Sequence, residues 1–193
     1  YYPFQFENPI TYLEKLRENV RITIESDIRT YMTISADTIN LLLKLTAILA
    51  DSVPFTPNVS KLAERMGTTR NTVVNLLEYL EKGRIIHRLF KDSAGIGRMQ
   101  KPDKIYLDNP NLMHALSWNQ ANAGALRETF LVSQLRPNHK IRLGKSADFM
   151  VDELYEMEVG GKTKKSKQLS ETANSFVLVD ETEIGFGRKI PLW

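Results

Sequence analysis

Residues 58–83, NVSKLAERMGTTRNTVVNLLEYLEKG, restrict this chain more than any other stretch. Val59, Leu62, Ala63 and Met66 fall at i, i+3, i+4 and i+7, and Val73, Leu76, Leu77 and Leu80 repeat that spacing. Each set forms an apolar stripe along one side of an α-helix. Asn58 and Thr68 have the short side chains that accept hydrogen bonds from the free amides at a helix start. Gly67 and Gly83 suit the left-handed position that ends a helix. Two short amphipathic helices around a tight turn form the helix-turn-helix pattern, whose second helix enters the DNA major groove by its N-terminal residues. The polar residues there are Thr69, Arg70, Asn71, Thr72 and Asn75. They offer the cation, amides and hydroxyls that reach phosphates and base edges. Helix pairs of this kind also serve as packing units or bind protein, and the spacing alone does not separate these uses.

The charge distribution bears on that choice. The net charge is only +3, yet residues 58–104 have ten Lys or Arg against five Asp or Glu. The segment before them is net −2 and the segment after them is neutral. The positive excess therefore lies on the helix pair and the twenty or so residues C-terminal to it, as phosphate binding requires. Ordinary solvated surfaces share this pattern.

The flanking residues extend the unit. Asn8-Pro9 is a helix start, with a capping side chain and then proline at the first helical position. The helix is expected over residues 9–30, with Leu13, Leu16, Val20, Ile24 and Ile28 on its apolar side. Tyr1 to Glu7 reads as an extended aromatic segment that packs on something. A second helix is expected over 37–50, with Ile39, Leu42, Leu43, Ala47 and Ala50 inward, ended by the prolines of the 51–57 loop. Three consecutive helices (37–50, 58–66 and 68–82) make the helical core of a winged-helix domain. Residues 84–90 (RIIHRLF) and 104–107 (KIYL) supply the two strands of a wing. The linker between them is basic, and Lys91, Arg98 and Lys101 are its candidate phosphate contacts.

After a short helix or turn at 108–118 and a small polar boundary at 119–124, a helix is expected at 125–135. Strands are expected next at 140–143, 147–151, 154–159 and 175–179. Glu128, Asp148 and Glu158 are the carboxylates of interest. An Asp with a Glu about ten residues later in an apolar strand is the core of a restriction-nuclease-like site. Such carboxylates hold Mg²⁺ through hard oxygen ligands, and the metal activates water. The lysine that helps position that water is expected two residues after the Glu, where this chain has Gly160, so Lys162 becomes the substitute. In a hairpin, Asp148 and Glu158 share a face only if the connection bulges or holds an odd number of residues. A two-residue turn at Asp152-Glu153 would set Asp148 opposite Met157. The bland reading makes all three acids surface or capping groups.

Other chemistries find little support. Gly161-Lys162-Thr163 resembles the end of a phosphate-binding loop, but Glu156 stands where the pattern needs a glycine. Gly95-Ile96-Gly97 is too short for a nucleotide fingerprint. His87, His114 and His139 lack ligand spacing, and no Gly-x-Ser-x-Gly elbow occurs. The absence of cysteine excludes disulfides and thiolate metal sites and fits a reducing cytoplasm. No apolar run reaches the ~20 residues of a membrane span. The chain opens on Tyr1 without a methionine or a signal-peptide pattern, which reads as a fragment or processed chain.

Several stretches, taken in order, resemble the C-terminal part of a family of prokaryotic AAA-type ATPases. They are Ile24-Glu25-Ser26-Asp27-Ile28, Pro102-Asp103-Lys104-Ile105-Tyr106-Leu107-Asp108-Asn109 (similar to the family's PKxYxxD strand), Gly124-Ala125-Leu126-Arg127-Glu128-Thr129-Phe130, Ala147-Asp148-Phe149-Met150-Val151 and Tyr155-Glu156-Met157-Glu158-Val159. The resemblance implies an α+β chain: an extended segment and connecting helix (1–36), a winged-helix domain (37–118) and a small α/β restriction-endonuclease-like domain (119–193). It also implies an ATPase module preceding this chain as partner, alongside double-stranded DNA. The ATP-binding loop is absent, so no cofactor belongs to these residues, with Mg²⁺ relevant only to an active nuclease-like site. Asp148 and Glu158 would be its metal ligands, and Glu128 and Lys162 would complete it. The family's Glu-Val-Lys is Glu158-Val159-Gly160 here, which marks the nuclease-like domain as catalytically silent. A Mg²⁺-dependent nuclease and a protein-interaction module are the alternatives.

Overall fold

Spacing explains the first element. Leu16, Val20, Ile24 and Ile28 are buried at intervals of four residues, and on an α-helix such a row drifts by about 40° per step. The computed structural model, which describes residues 6–91, 101–117, 121–161 and 174–193, absorbs that drift with one widened turn. Helix α1 (Pro9–Ile22) passes through a π-helical segment, Thr23–Asp27, into α2 (Ile28–Tyr31), so all four side chains face one core. Asn8 caps α1 as its sequence requires, accepting from the Ile10 amide at 2.9 Å. Phe6 is exposed; Tyr1 to Gln5 lie outside the described residues.

Helices α3 (Ala36–Ala50), α4 (Val59–Met66) and α5 (Arg70–Lys82) come next. The two apolar stripes of α4 and α5 are buried residue for residue as the spacing predicts. In α3 the phase differs: Leu45, Thr46 and Leu49 point inward with Leu42 and Ala50, and Ala47 is exposed. That helix is apolar nearly all round, so its neighbours set the phase, not its periodicity. Gly67 takes the left-handed conformation, φ 67°, that ends α4. A Cβ added there would meet nothing within 4 Å, so only the backbone resists a side chain. Gly67→Ala is expected to lower stability by about 1 kcal/mol, measured by urea denaturation; an unchanged midpoint would refute this account of the turn.

Two capping expectations need correction. Thr69, not Thr68, caps α5, its hydroxyl accepting from the Thr72 amide at 3.2 Å. Gly83 is not left-handed (φ −74°), and the positive φ falls on Arg84, at 51°. Gly83 serves close approach: a Cβ there would lie 3.1 Å from Ile28 Cδ1 on α2.

Strands β1 (Ile86–Leu89) and β2 (Lys104–Leu107) form an antiparallel two-stranded sheet, and α6 (Pro110–Leu116) packs back on α1. The side chains of β2 alternate: Ile105 and Leu107 enter the helical core, whereas Tyr106 joins Leu89 in a second core. That second core lies under α7 (Ala123–Leu135) and a five-stranded sheet ordered β3-β4-β5-β6-β7. The strands are β3 (Ile141–Leu143), β4 (Phe149–Val151), β5 (Tyr155–Gly160), β6 (Ser175–Val179) and β7 (Lys189–Pro191). The first two pairings are antiparallel and the last two parallel. The chain is thus α+β, with two cores that share the β1–β2 sheet. β7 has no counterpart among the expected strands, since three residues ending in proline give no periodic signal.

Candidate nucleic-acid interface and carboxylate cluster

The N-terminal turn of α5 is built from its own cap. Thr69 spends its hydroxyl on the Thr72 amide, and the two threonine hydroxyls lie 2.8 Å apart. Thr69, Arg70, Asn71 and Asn75 are exposed and Thr72 is half-buried. Asn71 and Asn75, four residues apart, share a helix face, opposite the stripe of Val73, Leu76, Leu77 and Leu80. This end therefore presents one guanidinium and two side-chain amides to solvent. Amides of this type pair with two edge atoms of adenine and a guanidinium with guanine or phosphate.

The structure divides the basic residues of 58–104 into two sets. Arg88 pairs with Glu81, Lys82 with Glu78 and Lys104 with Glu128. Lys61, Arg65, Arg70, Arg84, Lys91 and Lys101 have no ion pair among the described residues, and all are exposed. Charge counting along the chain cannot make this division, because α7 and the residue after it bring in Glu128, which neutralises Lys104, and Arg136, which shares Glu81. Arg98 lies outside the described residues.

The hairpin of β4 and β5 puts Asp148 and Glu158 on adjacent strand segments, while Glu128 lies on α7. Phe149 pairs with Met157, so the next position sets Asp148 opposite Glu158. The connection is the odd one this requires: residues 152–154, with Asp152 and Glu153 both at positive φ. Asp148 is not on a strand as expected; it sits in a bend just before β4 and turns its carboxylate onto the Val159 amide at 2.8 Å. Glu158 is 3% exposed. Glu128 receives two donors on one oxygen, Lys104 Nζ at 2.6 Å and the Tyr106 hydroxyl at 2.6 Å. Burial, then the Glu128 charge and hydrogen bond, then the Asp148 charge push the Tyr106 phenol far above its usual range. Tyr106 therefore stays a proton donor to Glu128.

Part of this donor set is already engaged. A hard dication needs several oxygens facing one point, yet one oxygen of Glu128 is taken by an ammonium and a phenol, and one of Asp148 by a backbone amide. Among the described residues no group of three His, Cys, Asp or Glu side chains could hold a metal ion. Lys162 lies outside the described residues, and β5 runs to its end at Gly160 without a lysine.

Sequence reasoning missed Lys104 and Tyr106 as partners of Glu128, although their i, i+2 spacing on a strand places them on one face. It also missed Arg127, one residue from Glu128, whose guanidinium is bound by the buried Asp180 just beyond β6. No helix among the described residues is long and apolar enough to cross a membrane.

Comparison with known proteins adds one finding. No curated protein and no solved structure matches the chain. A family model does match, over residues 4–123, from the N-terminal segment to the first residue of α7. More than half of the chain is covered, and on that match it belongs to the DUF8612 family, a domain of unknown function.

Proposed function

We propose that this chain is a DNA-binding region of winged-helix type, belonging to the C-terminal part of an AAA-type ATPase, with a nuclease-like unit that is catalytically silent. The ATPase module and duplex DNA are its partners. The observation that carries this reading is the uncovered N-terminal turn of α5, where Arg70, Asn71 and Asn75 are exposed and Arg70 has no ion-pair partner among the described residues. The flanking cations Lys61 and Arg65 on α4 are likewise exposed and without an ion pair there. On this reading α5 supplies base-edge contacts, and Lys91 and Lys101 beside the β1–β2 hairpin supply phosphate contacts. The engagement of Glu128 by Lys104 and Tyr106 supports the silent role of the second unit.

Fluorescence anisotropy with labelled duplex DNA across a salt series tests this. Binding that weakens steeply with salt is expected, and Arg70→Ala is expected to reduce affinity about tenfold, the effect of roughly 1.4 kcal/mol. Absence of salt-dependent binding near physiological ionic strength would reject the proposal.

One observation favours a second reading, a metal-dependent nuclease: the Asp148 carboxylate accepts from the amide of Val159, the residue after Glu158. Plasmid cleavage in Mg²⁺ or Mn²⁺ that disappears in Asp148→Ala would establish it in place of the silent role.

A further inference from the structure

The end of β1 does not stand clear of the second unit. The Leu143 amide donates to the Phe90 carbonyl at 3.0 Å, and Arg142 Nη1 donates to the Lys91 carbonyl at 3.2 Å. These bonds set the loop after β3, residues 144–148, beside the base of the β1–β2 hairpin. Lys101 reaches the same place from the other strand, because the Asp103 amide donates to the Leu89 carbonyl. Lys91 accepts one of these bonds, and Lys101 and Lys145 each stand two residues from a bonded residue; all three are exposed and without an ion pair among the described residues.

Among the described residues, acids at this junction are already engaged. Asp103 accepts from the Lys91 amide at 2.9 Å, Glu153 takes the Arg142 guanidinium, and Glu156 accepts from Ser146 and Ser175. The cation paired here, Arg142, is the one that ties β3 to β1. The lysines left over point to no partner within the described protein. Like charges on neighbouring segments repel one another, and a polyanion relieves that repulsion.

We infer that Lys145 of the second unit completes a phosphate-binding surface with Lys91 and Lys101, so that duplex DNA bound by α5 continues across the hairpin base onto the loop after β3. This inference rests on the DNA-binding reading above and extends it: the second unit lengthens the phosphate track and takes no part in base reading.

The test uses the whole chain and duplexes of two lengths. Removing one phosphate contact lowers the salt slope by about one and costs about fivefold in affinity near 0.15 M salt. Lys145→Ala is expected to show both changes on a long duplex and neither on one just long enough for α5. Arg29→Ala is the control: it removes the same charge from α2, is also exposed, and is expected to leave binding unchanged. Equal losses in both variants would trace the effect to net charge and overturn the inference, as would an unchanged salt slope in Lys145→Ala. A wild-type chain that binds duplex and loses affinity in Arg70→Ala, with no response at Lys145, would reject this extension while leaving the α5 reading intact. A wild-type chain that ignores duplex DNA would overturn both. Thermal melting of each variant verifies folding, and an exposed lysine without an ion pair carries little of it.

Discussion

Glu128→Ala should destabilise the folded chain by about 3 kcal/mol, a larger effect than an exposed ion pair would give. Its carboxylate is the point where α7 meets β2, with Lys104 and Tyr106 donating to the same oxygen. Tyr106 is fully buried, so its hydroxyl would lose its partner with no water to replace it, at about 1–3 kcal/mol. The Lys104 ammonium, with its side chain 26% exposed, would lose its countercharge, a cost between the ~1 kcal/mol of surface pairs and the ~3–5 kcal/mol of buried ones. An acid retained to hold a metal would behave in the opposite way: freed of mutual repulsion, the fold gains or keeps stability when it is removed. Urea denaturation of Glu128→Ala, Lys104→Ala and the double variant separates the two. A coupling energy near zero in that cycle, or a midpoint that rises in Glu128→Ala, would show that this carboxylate does not join the two cores.

A similar loss, about 2–3 kcal/mol at neutral pH, is expected for Glu81→Gln, and here pH identifies the cause. Glu81 sits near the end of α5 and accepts from Arg88 Nε at 2.7 Å, the Arg88 amide at 3.1 Å and Arg136 Nη2 at 2.6 Å. It thereby ties α5 to β1 and to the residue after α7. Burial by itself would raise its pKa, but the Arg88 charge, the two Arg88 hydrogen bonds and the Arg136 charge outweigh it and hold the carboxyl below its ordinary value. A folded pKa below the unfolded value, about 4.3, gives a contribution that is complete above that pH and lost as pH falls through the folded pKa. Wild type and Glu81→Gln should therefore differ most at neutral pH and converge in acid, because a protonated Glu81 resembles glutamine in charge. Equal differences at neutral pH and well below the ordinary carboxylate range would show that side-chain shape, not charge, makes the joint.

Local chemistry alone determined the buried stripes of α4 and α5 and the start of α1. The buried stripes of α4 and α5, the Asn8 cap and the left-handed turn at Gly67 all depend on residues within one or two turns of each other, and such short-range rules act before any tertiary contact. The two strands of the β4–β5 hairpin were legible in the same way, but the length of their connection was not: the expected bounds left two residues between them, and the structure has three. The tertiary structure decided whatever required a distant partner. It set the phase of α3, where apolar residues on every side left periodicity silent. It placed glycine at 83 because α2, far earlier in the chain, passes within contact distance. It buried both faces of β2 between two cores, and it chose which cations of residues 58–104 are neutralised. Ion pairing depends on distances of a few ångströms between elements that the chain order separates, so the exposed cations without an ion pair among the described residues, Arg70, Lys91, Lys101 and Lys145, could be recognised only once α7 and β3 were in place.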